Sequence, residues 1–141
     1  MIANERQYQV TRRKLGELAE LKASVERGAA GDDGFRDFQA EALESQMDDL
    51  REELAEYEHL REGNTTTIEA TTLAGLADAL IKARIVRGWT QADMARKLDV
   101  SEQQVQRDEA NRYSGAALSR LCDIAEALGV DVRETLTLRA S

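Results

Sequence analysis

The chain has 141 residues, with 19 Lys and Arg against 27 Asp and Glu, a single cysteine and no proline. One cysteine excludes an internal disulfide and a cysteine-built metal site, and no apolar run approaches the roughly 18 residues of a membrane span. Aromatic residues make up only 4%, while Ala, Leu, Glu and Arg dominate, which predicts an all-α chain; the start, MIANERQYQV, lacks an apolar signal core and predicts a cytoplasmic protein.

The net charge of −8 is unevenly spread. Residues 1–64 hold 9 basic and 16 acidic side chains, residues 65–141 hold 10 and 11, and the window 80–115 holds 7 and 5. An acidic appendage on a locally basic module is therefore expected. With a screening length of roughly 8 Å, charge at the far end of a helical arm hardly reaches the basic window. Few phosphates can be neutralised by so few cations, so non-specific binding to nucleic acid should be weak.

In chain order, residues 4–28 read as a helix with a loose apolar stripe of Tyr8, Leu15, Leu18, Leu21 and Val25. AAGDDG at 29–34 reads as a turn. Residues 35–61 read as a longer helix whose Leu43, Met47, Leu50, Leu54 and Tyr57 step by four and three in heptad fashion, flanked by Glu and Asp. Two helices and a short turn predict an antiparallel, coiled-coil-like hairpin over residues 1–62. Such a hairpin buries little by itself, so the seam is expected to meet a second copy or a partner protein; packing against the rest of the same chain is the alternative. Residues 63–72 form a linker: Gly63 and Asn64 stop the helix, and the threonines that follow favour a short strand around Thr66 to Ala70.

Residues 73–141 read as a four- or five-helix module. Leu73, Leu76, Ala77, Leu80 and Ile81 make one face of its first helix, Gly88 ends it, and Trp89 follows as a core plug. Thr90 to Arg112 reads as two short helices crossing at a tight turn, the second suited to a DNA groove. Counted from Gln91, the fourth, eighth, tenth and fifteenth positions are Met94, Leu98, Val100 and Val105, and the fifth, where the backbones come closest, is Ala95. Thr90 with Asp93, and Ser101 with Gln104, fit the capping box. Asp99 stands where the turn needs positive φ, a conformation Asp tolerates better than most residues. From Gly115 to Leu128 a further helix is lined by Leu118, Leu121, Cys122, Ala125 and Leu128, with Cys122 read as a small core residue. Residues 130–141 trail off as a fifth turn or a dimer contact.

The stretch ALIKARIVRGWTQADMARKLDVSEQQVQRDEANRYSGAALSRLCDIAEALGV resembles the Xre/lambda-repressor-like helix-turn-helix family, over about residues 73–130. The segment from Ile2 to Glu20, IANERQYQVTRRKLGELAE, looks like the leader of a subset of these regulators that carry a helical hairpin and are often HigA-like antitoxins. The resemblance implies DNA contacts from Thr90, Gln91, Ser101, Glu102, Gln103, Gln104, Gln106, Arg107 and Arg112, with Gly115 and Ala116 gripping phosphate at a helix start. Gln103 and Gln104 match positions where such repressors place glutamines on bases, and a carboxamide can pair with both N6 and N7 of adenine. Arg107 could reach guanine or phosphate. Gln91 would hold phosphate by side chain and backbone N–H. Arg84 and Glu109 match an ion pair that ties the first helix to the recognition helix.

Asp108 departs from the family, which carries Tyr, Trp or Leu there. An unpaired buried carboxylate costs several kcal/mol, so the expected arrangement is at the module's edge near Arg112 or Arg87, and Asp108→Tyr is expected to raise the melting temperature. The glutamines also fit a solvated helix face, Arg107 and Arg112 could simply pair with Asp108 or Glu109, and Trp89 and Tyr113 read as packing residues. His59 is isolated, and the neighbouring pairs Asp48-Asp49 and Glu52-Glu53 diverge around their helix. With no nucleophile elbow, phosphate loop or metal spacing, the sequence predicts neither an enzyme nor a cofactor or metal.

The function expected from these features is a sequence-specific DNA-binding repressor, acting as a homodimer on a palindromic operator. Its expected role is that of the autoregulating antitoxin of a HigBA-type toxin–antitoxin system, with the acidic hairpin dimerising or covering a basic toxin. The alternatives are a phage or mobile-element repressor without a toxin, and a non-DNA-binding adaptor organised by the hairpin.

Overall fold

The computed structural model describes residues 1–28 and 33–141. Among the described residues there are six helices: α1 (Glu5–Arg27), α2 (Asp33–Arg61), α3 (Leu73–Val86), α4 (Gln91–Leu98), α5 (Glu102–Ala110) and α6 (Leu118–Leu128). The all-α class expected from composition is the class observed. Among the described residues there is no strand, so the expected strand around Thr66 to Ala70 is absent; threonine-rich backbone has no neighbouring strand to pair with, and β-propensity acts only through such pairing. Residues 29–32 of the expected turn lie outside the described residues, while Asp33 and Gly34 already belong to α2. The chain divides into two compact units, Met1–Asn64 and Thr65–Ser141.

In the first unit α1 packs on α2. Asn4 starts α1: its side-chain oxygen accepts from the Gln7 N–H at 2.9 Å, and Gln7 in turn accepts from the Ala3 N–H at 2.8 Å. This reciprocal clasp holds Ile2 and Ala3 in buried positions. Tyr8 and Tyr57 meet with ring centroids 5.3 Å apart, and the Arg61 guanidinium lies 5.6 and 5.4 Å from the two ring centroids. Tyr8 donates its hydroxyl to Glu58 at 2.5 Å, and that bond raises the Tyr8 pKa. Of the heptad residues, Met47, Leu54 and Tyr57 are buried and Leu43 and Leu50 half-buried. The seam expected to face a partner is thus a core of the hairpin itself, because α1 occupies it. On α1, Leu21 is exposed rather than part of the stripe.

The second unit centres on Ile81, Met94, Val105, Ile124 and Leu128, its most completely buried side chains. α4 packs on α5 and α6, and α3 on α6. Its four helices stop in one way. Gly88, Asp99, Arg112 and Gly129 take positive φ of 72°, 55°, 54° and 66°, and the next residue's N–H reaches back across the last turn: Trp89 to Arg84 O, Val100 to Ala95 O, Tyr113 to Asp108 O and Val130 to Ala125 O. These are Schellman closures. Asp99 fills the turn position assigned to it; that Arg112, and Tyr113 at 55°, would share this conformation is not signalled by their residue types.

Those turns delay α6, which begins at Leu118 instead of Gly115. Its inner face is Leu121, Ile124, Ala125 and Leu128, spaced by three and four. Leu118, expected inside, is 73% exposed, and Cys122, expected in the core, is exposed because it sits one step off that stripe. Leu73 at the head of α3 is also exposed. Residues 130–141 form no fifth helical turn and lie largely exposed.

Candidate nucleic-acid interface

α4 and α5 are set by their ends. Thr90 accepts from the Asp93 N–H at 3.0 Å, while the Asp93 carboxylate accepts from the Thr90 N–H at 2.8 Å, a complete capping box. The backbone bond from Thr90, and then that residue's hydroxyl, hold Asp93 below the usual carboxylate pKa. Ser101 accepts from the Gln104 N–H at 3.1 Å. The reciprocal half expected of Gln104 is missing, because its carboxamide is engaged elsewhere. Between the helices Asp99 turns the chain, and Ala95 at the point of closest approach is buried.

Beneath the pair lies a buried ionic cluster. Arg84 Nε donates to Glu109 Oε2 at 2.6 Å and Nη2 to Oε1 at 2.7 Å, while Nη1 donates to the Trp89 carbonyl at 2.7 Å. Gln91 Nε2 also donates to Glu109 Oε1, at 3.0 Å. The side chain expected to hold phosphate at Gln91 is therefore turned inward and buried, and it completes the hydrogen bonding of a carboxylate that would otherwise be costly to bury. Burial also pushes the neighbouring Tyr113 hydroxyl well above its ordinary pKa. Trp89 is half-buried rather than a core plug, with Lys97 Nζ 5.2 Å from its ring centroid.

The outer face of α5 carries Glu102, Gln103, Gln106 and Arg107, all exposed. Gln106 donates to Glu102 at 3.2 Å. Gln104 is half-buried: its Nε2 donates to Asp108 Oδ1 at 2.9 Å, and its Oε1 accepts from Arg107 Nη2 at 3.0 Å. Asp108 is paired with Arg120 of α6, not with Arg112 or Arg87 as its sequence neighbourhood suggested. Arg87 donates to the carbonyls of Leu128 and Gly129 at 2.8 and 3.0 Å, and Arg112 pairs with Asp78 at 3.0 Å. Arg120 stands twelve residues from Asp108 on another helix, beyond any i to i+4 search, so sequence reasoning missed it.

Gly115 and Ala116, expected to open a phosphate-gripping helix, fall in the preceding turn. Gly115 takes φ of 77°, and the Ala116 N–H is spent on the Tyr113 carbonyl at 3.0 Å. The helix start at this place is Ala117, which supplies no side-chain cap.

Two short capped helices crossing at a left-handed turn, the second presenting amides and an arginine outward, form a shape that fits a duplex groove. Residues 80–134 match the family model described as helix-turn-helix. A match over that segment supports a DNA-binding regulator. Within the matched segment, α4 and α5 are the two helices that cross at the Asp99 turn. No curated protein and no solved structure matches the chain. Among the described residues no helix is long and apolar enough to cross a membrane, and no cluster of His, Cys, Asp and Glu is arranged to hold a metal.

Proposed function

We propose that the protein is a sequence-specific transcriptional repressor that lays α5 in the major groove of a palindromic operator. Two copies would bind half-sites about one helical turn apart. The observation that carries this reading is the exposed row of Gln103, Gln106 and Arg107 on a helix fixed at its start by Ser101 and from behind by the Arg84–Glu109 pair. Glutamine and arginine are the side chains that read adenine and guanine through two hydrogen bonds. The test is enrichment of a randomised duplex pool by the full chain, followed by mobility shift on the enriched sequence and on a shuffled duplex. Discrimination of about a thousandfold or more fits a specific regulator; equal binding to both duplexes would reject the proposal.

An antitoxin role is the finer form of this reading. It is supported by the acidic first unit, with 16 acidic and 9 basic side chains, whose charge suits a cationic partner. Co-purification with a small basic ribonuclease encoded beside it would support that role, and a neighbouring frame without one would favour a free-standing mobile-element repressor.

The adaptor reading has its own observation. Around the recognition helix, Arg96, Arg112 and Arg120 are paired with Asp93, Asp78 and Asp108, which leaves little positive charge for phosphate. Failure of the pool to enrich any sequence would decide for it.

A further inference from the structure

A line of four side chains runs from the back of the second unit to its recognition helix. Arg120, on α6, holds Asp108, which is on α5 with its side chain only 15% exposed. Asp108 Oδ1 accepts from Gln104 Nε2 at 2.9 Å, and Gln104 Oε1 accepts from Arg107 Nη2 at 3.0 Å. A carboxylate only accepts and a guanidinium only donates, so the two ends of the line fix which way round the carboxamide between them stands. Reversing the amide would set N–H against guanidinium and carbonyl against carboxylate.

We propose that Asp108 is a positioning residue for base readout, orienting the Gln104 carboxamide and, through it, the Arg107 guanidinium. The inference rests on the DNA-reading function proposed above. Of the two N–H groups and two lone pairs of the Gln104 amide, one of each is engaged by Asp108 and Arg107. One of each is left for a base edge, which is what two-bond recognition of adenine requires. Arg120 neutralises the carboxylate, so Asp108 need not repel the phosphates beside it. The departure at this position thereby ceases to be a defect: it exchanges a packing contact for control over a neighbour one turn away.

The test uses the full chain and a randomised duplex pool. Wild type, Gln104→Ala, Asp108→Ala, Asp108→Leu and Asp108→Asn are each enriched and sequenced, after circular dichroism shows which are folded. Asp108→Ala and Asp108→Leu remove the acceptor, one leaving space and the other filling it, whereas Asp108→Asn keeps an acceptor oxygen. The expected result is that Gln104→Ala and either acceptor-less variant lose roughly tenfold in preference at one and the same base pair. Asp108→Asn, whose single oxygen must serve both Gln104 and Arg120, should keep more of that preference than the acceptor-less variants. Gln104→Glu, which sets acceptor against acceptor without touching Asp108, should lose it. A folded acceptor-less variant, or Gln104→Glu, that keeps the full wild-type preference overturns the positioning role while leaving DNA reading intact. So does a Gln104→Ala variant indistinguishable from wild type. Wild type enriching no sequence overturns the DNA-reading function and this inference with it.

Discussion

Arg84 and Glu109 face each other through two hydrogen bonds of 2.6 and 2.7 Å, with side chains only 3% and 2% exposed. They join α3 to α5 across 25 residues of chain. A buried pair of this kind often gains little over apolar residues of the same volume, but breaking it strands a charge. Glu109→Ala should therefore lower stability by about 3–5 kcal/mol, since Arg84 loses both of its carboxylate bonds and Gln91 loses one acceptor. The double change Arg84→Met, Glu109→Leu should fall close to wild type. Urea unfolding followed by Trp89 fluorescence measures both, and equal losses in the single and double variants would contradict this account. What the pair supplies in that case is register: it fixes which face of α5 turns outward.

Arg112 has two features that pull apart. Its φ of 54° is left-handed, where a non-glycine residue costs roughly 1–2 kcal/mol, and its side chain reaches Asp78 in a pair exposed enough to be worth roughly 0–1 kcal/mol. Arg112→Gly removes both and should leave the second unit as stable as wild type or up to about 1 kcal/mol more stable. If the guanidinium also contacts DNA, affinity for an enriched duplex should fall even as the melting temperature holds or rises. A clear loss of stability would mean that the Asp78 pair outweighs the backbone strain.

Local rules explain why the two crossing helices, α4 and α5, are readable from sequence. Hydroxyl caps, apolar positions three and four apart and an Asp at the turn all act within a few residues, and Thr90, Ser101, Met94, Val105 and Asp99 stand in the structure as such rules dictate. What was not readable depends on distant partners. Asp108 finds Arg120 across an interhelical gap, Gln104 is drawn out of its capping box by that carboxylate, and Gln91 is drawn inward by Glu109. Leu118 and Cys122 lie off the inner face of α6, which runs through Leu121, Ile124, Ala125 and Leu128, and the turn before it holds two successive left-handed non-glycine residues, Arg112 and Tyr113, that their residue types do not announce. The heptad of α2 shows a different limit. Periodicity reveals an apolar face, not what covers it, and here α1 does.

The hairpin core gives a prediction with a built-in reporter. Leu54 is buried in the first unit, and its truncation to Ala should cost that unit about 2–5 kcal/mol. The chain's single tryptophan, Trp89, belongs to the second unit, whereas Tyr8 and Tyr57 stack in the first. Near-ultraviolet circular dichroism in the tyrosine region should shift to lower urea in Leu54→Ala, with the Trp89 fluorescence transition left near its wild-type midpoint. Equal movement of both signals would show that the two units unfold as one.

Arg107 allows base and phosphate roles to be separated by salt. It is exposed, and the contact it makes, a 3.0 Å bond to Gln104, is to a neutral group. If it neutralises a phosphate, Arg107→Ala should weaken binding to every duplex alike and reduce the slope of log K against log salt by about 0.9 per protomer. If it reads guanine, the loss should be about 1–3 kcal/mol and confined to the enriched sequence. Its bond to the Gln104 carboxamide favours the second outcome, because an oriented guanidinium is worth more against a base edge than against a mobile phosphate. Titrations at several salt concentrations, on enriched and shuffled duplexes, distinguish the two.

The capping box at α4 should make the second unit sensitive to acid. Asp93 is held below its ordinary pKa of 3.8 by the Thr90 N–H and hydroxyl. A carboxyl with a depressed folded pKa binds its proton less readily in the native than in the unfolded chain. Its contribution is therefore fully present above the unfolded value and is lost as pH falls through the folded one. The affected window lies below about pH 4, and between pH 5 and 8 this group leaves stability flat. Asp93→Asn removes the charge at every pH, so the gap between wild type and variant should be constant near neutrality and narrow progressively below pH 4. Thr90→Ala, which removes the hydroxyl half of the box, should cost about 1 kcal/mol at neutral pH and narrow the same acid window only in part, because the backbone N–H of residue 90 still bonds the carboxylate. Urea midpoints measured by Trp89 fluorescence at pH 3, 4 and 7 check the sign. A gap that widens on acidification would mean that Asp93 is held by something other than this cap.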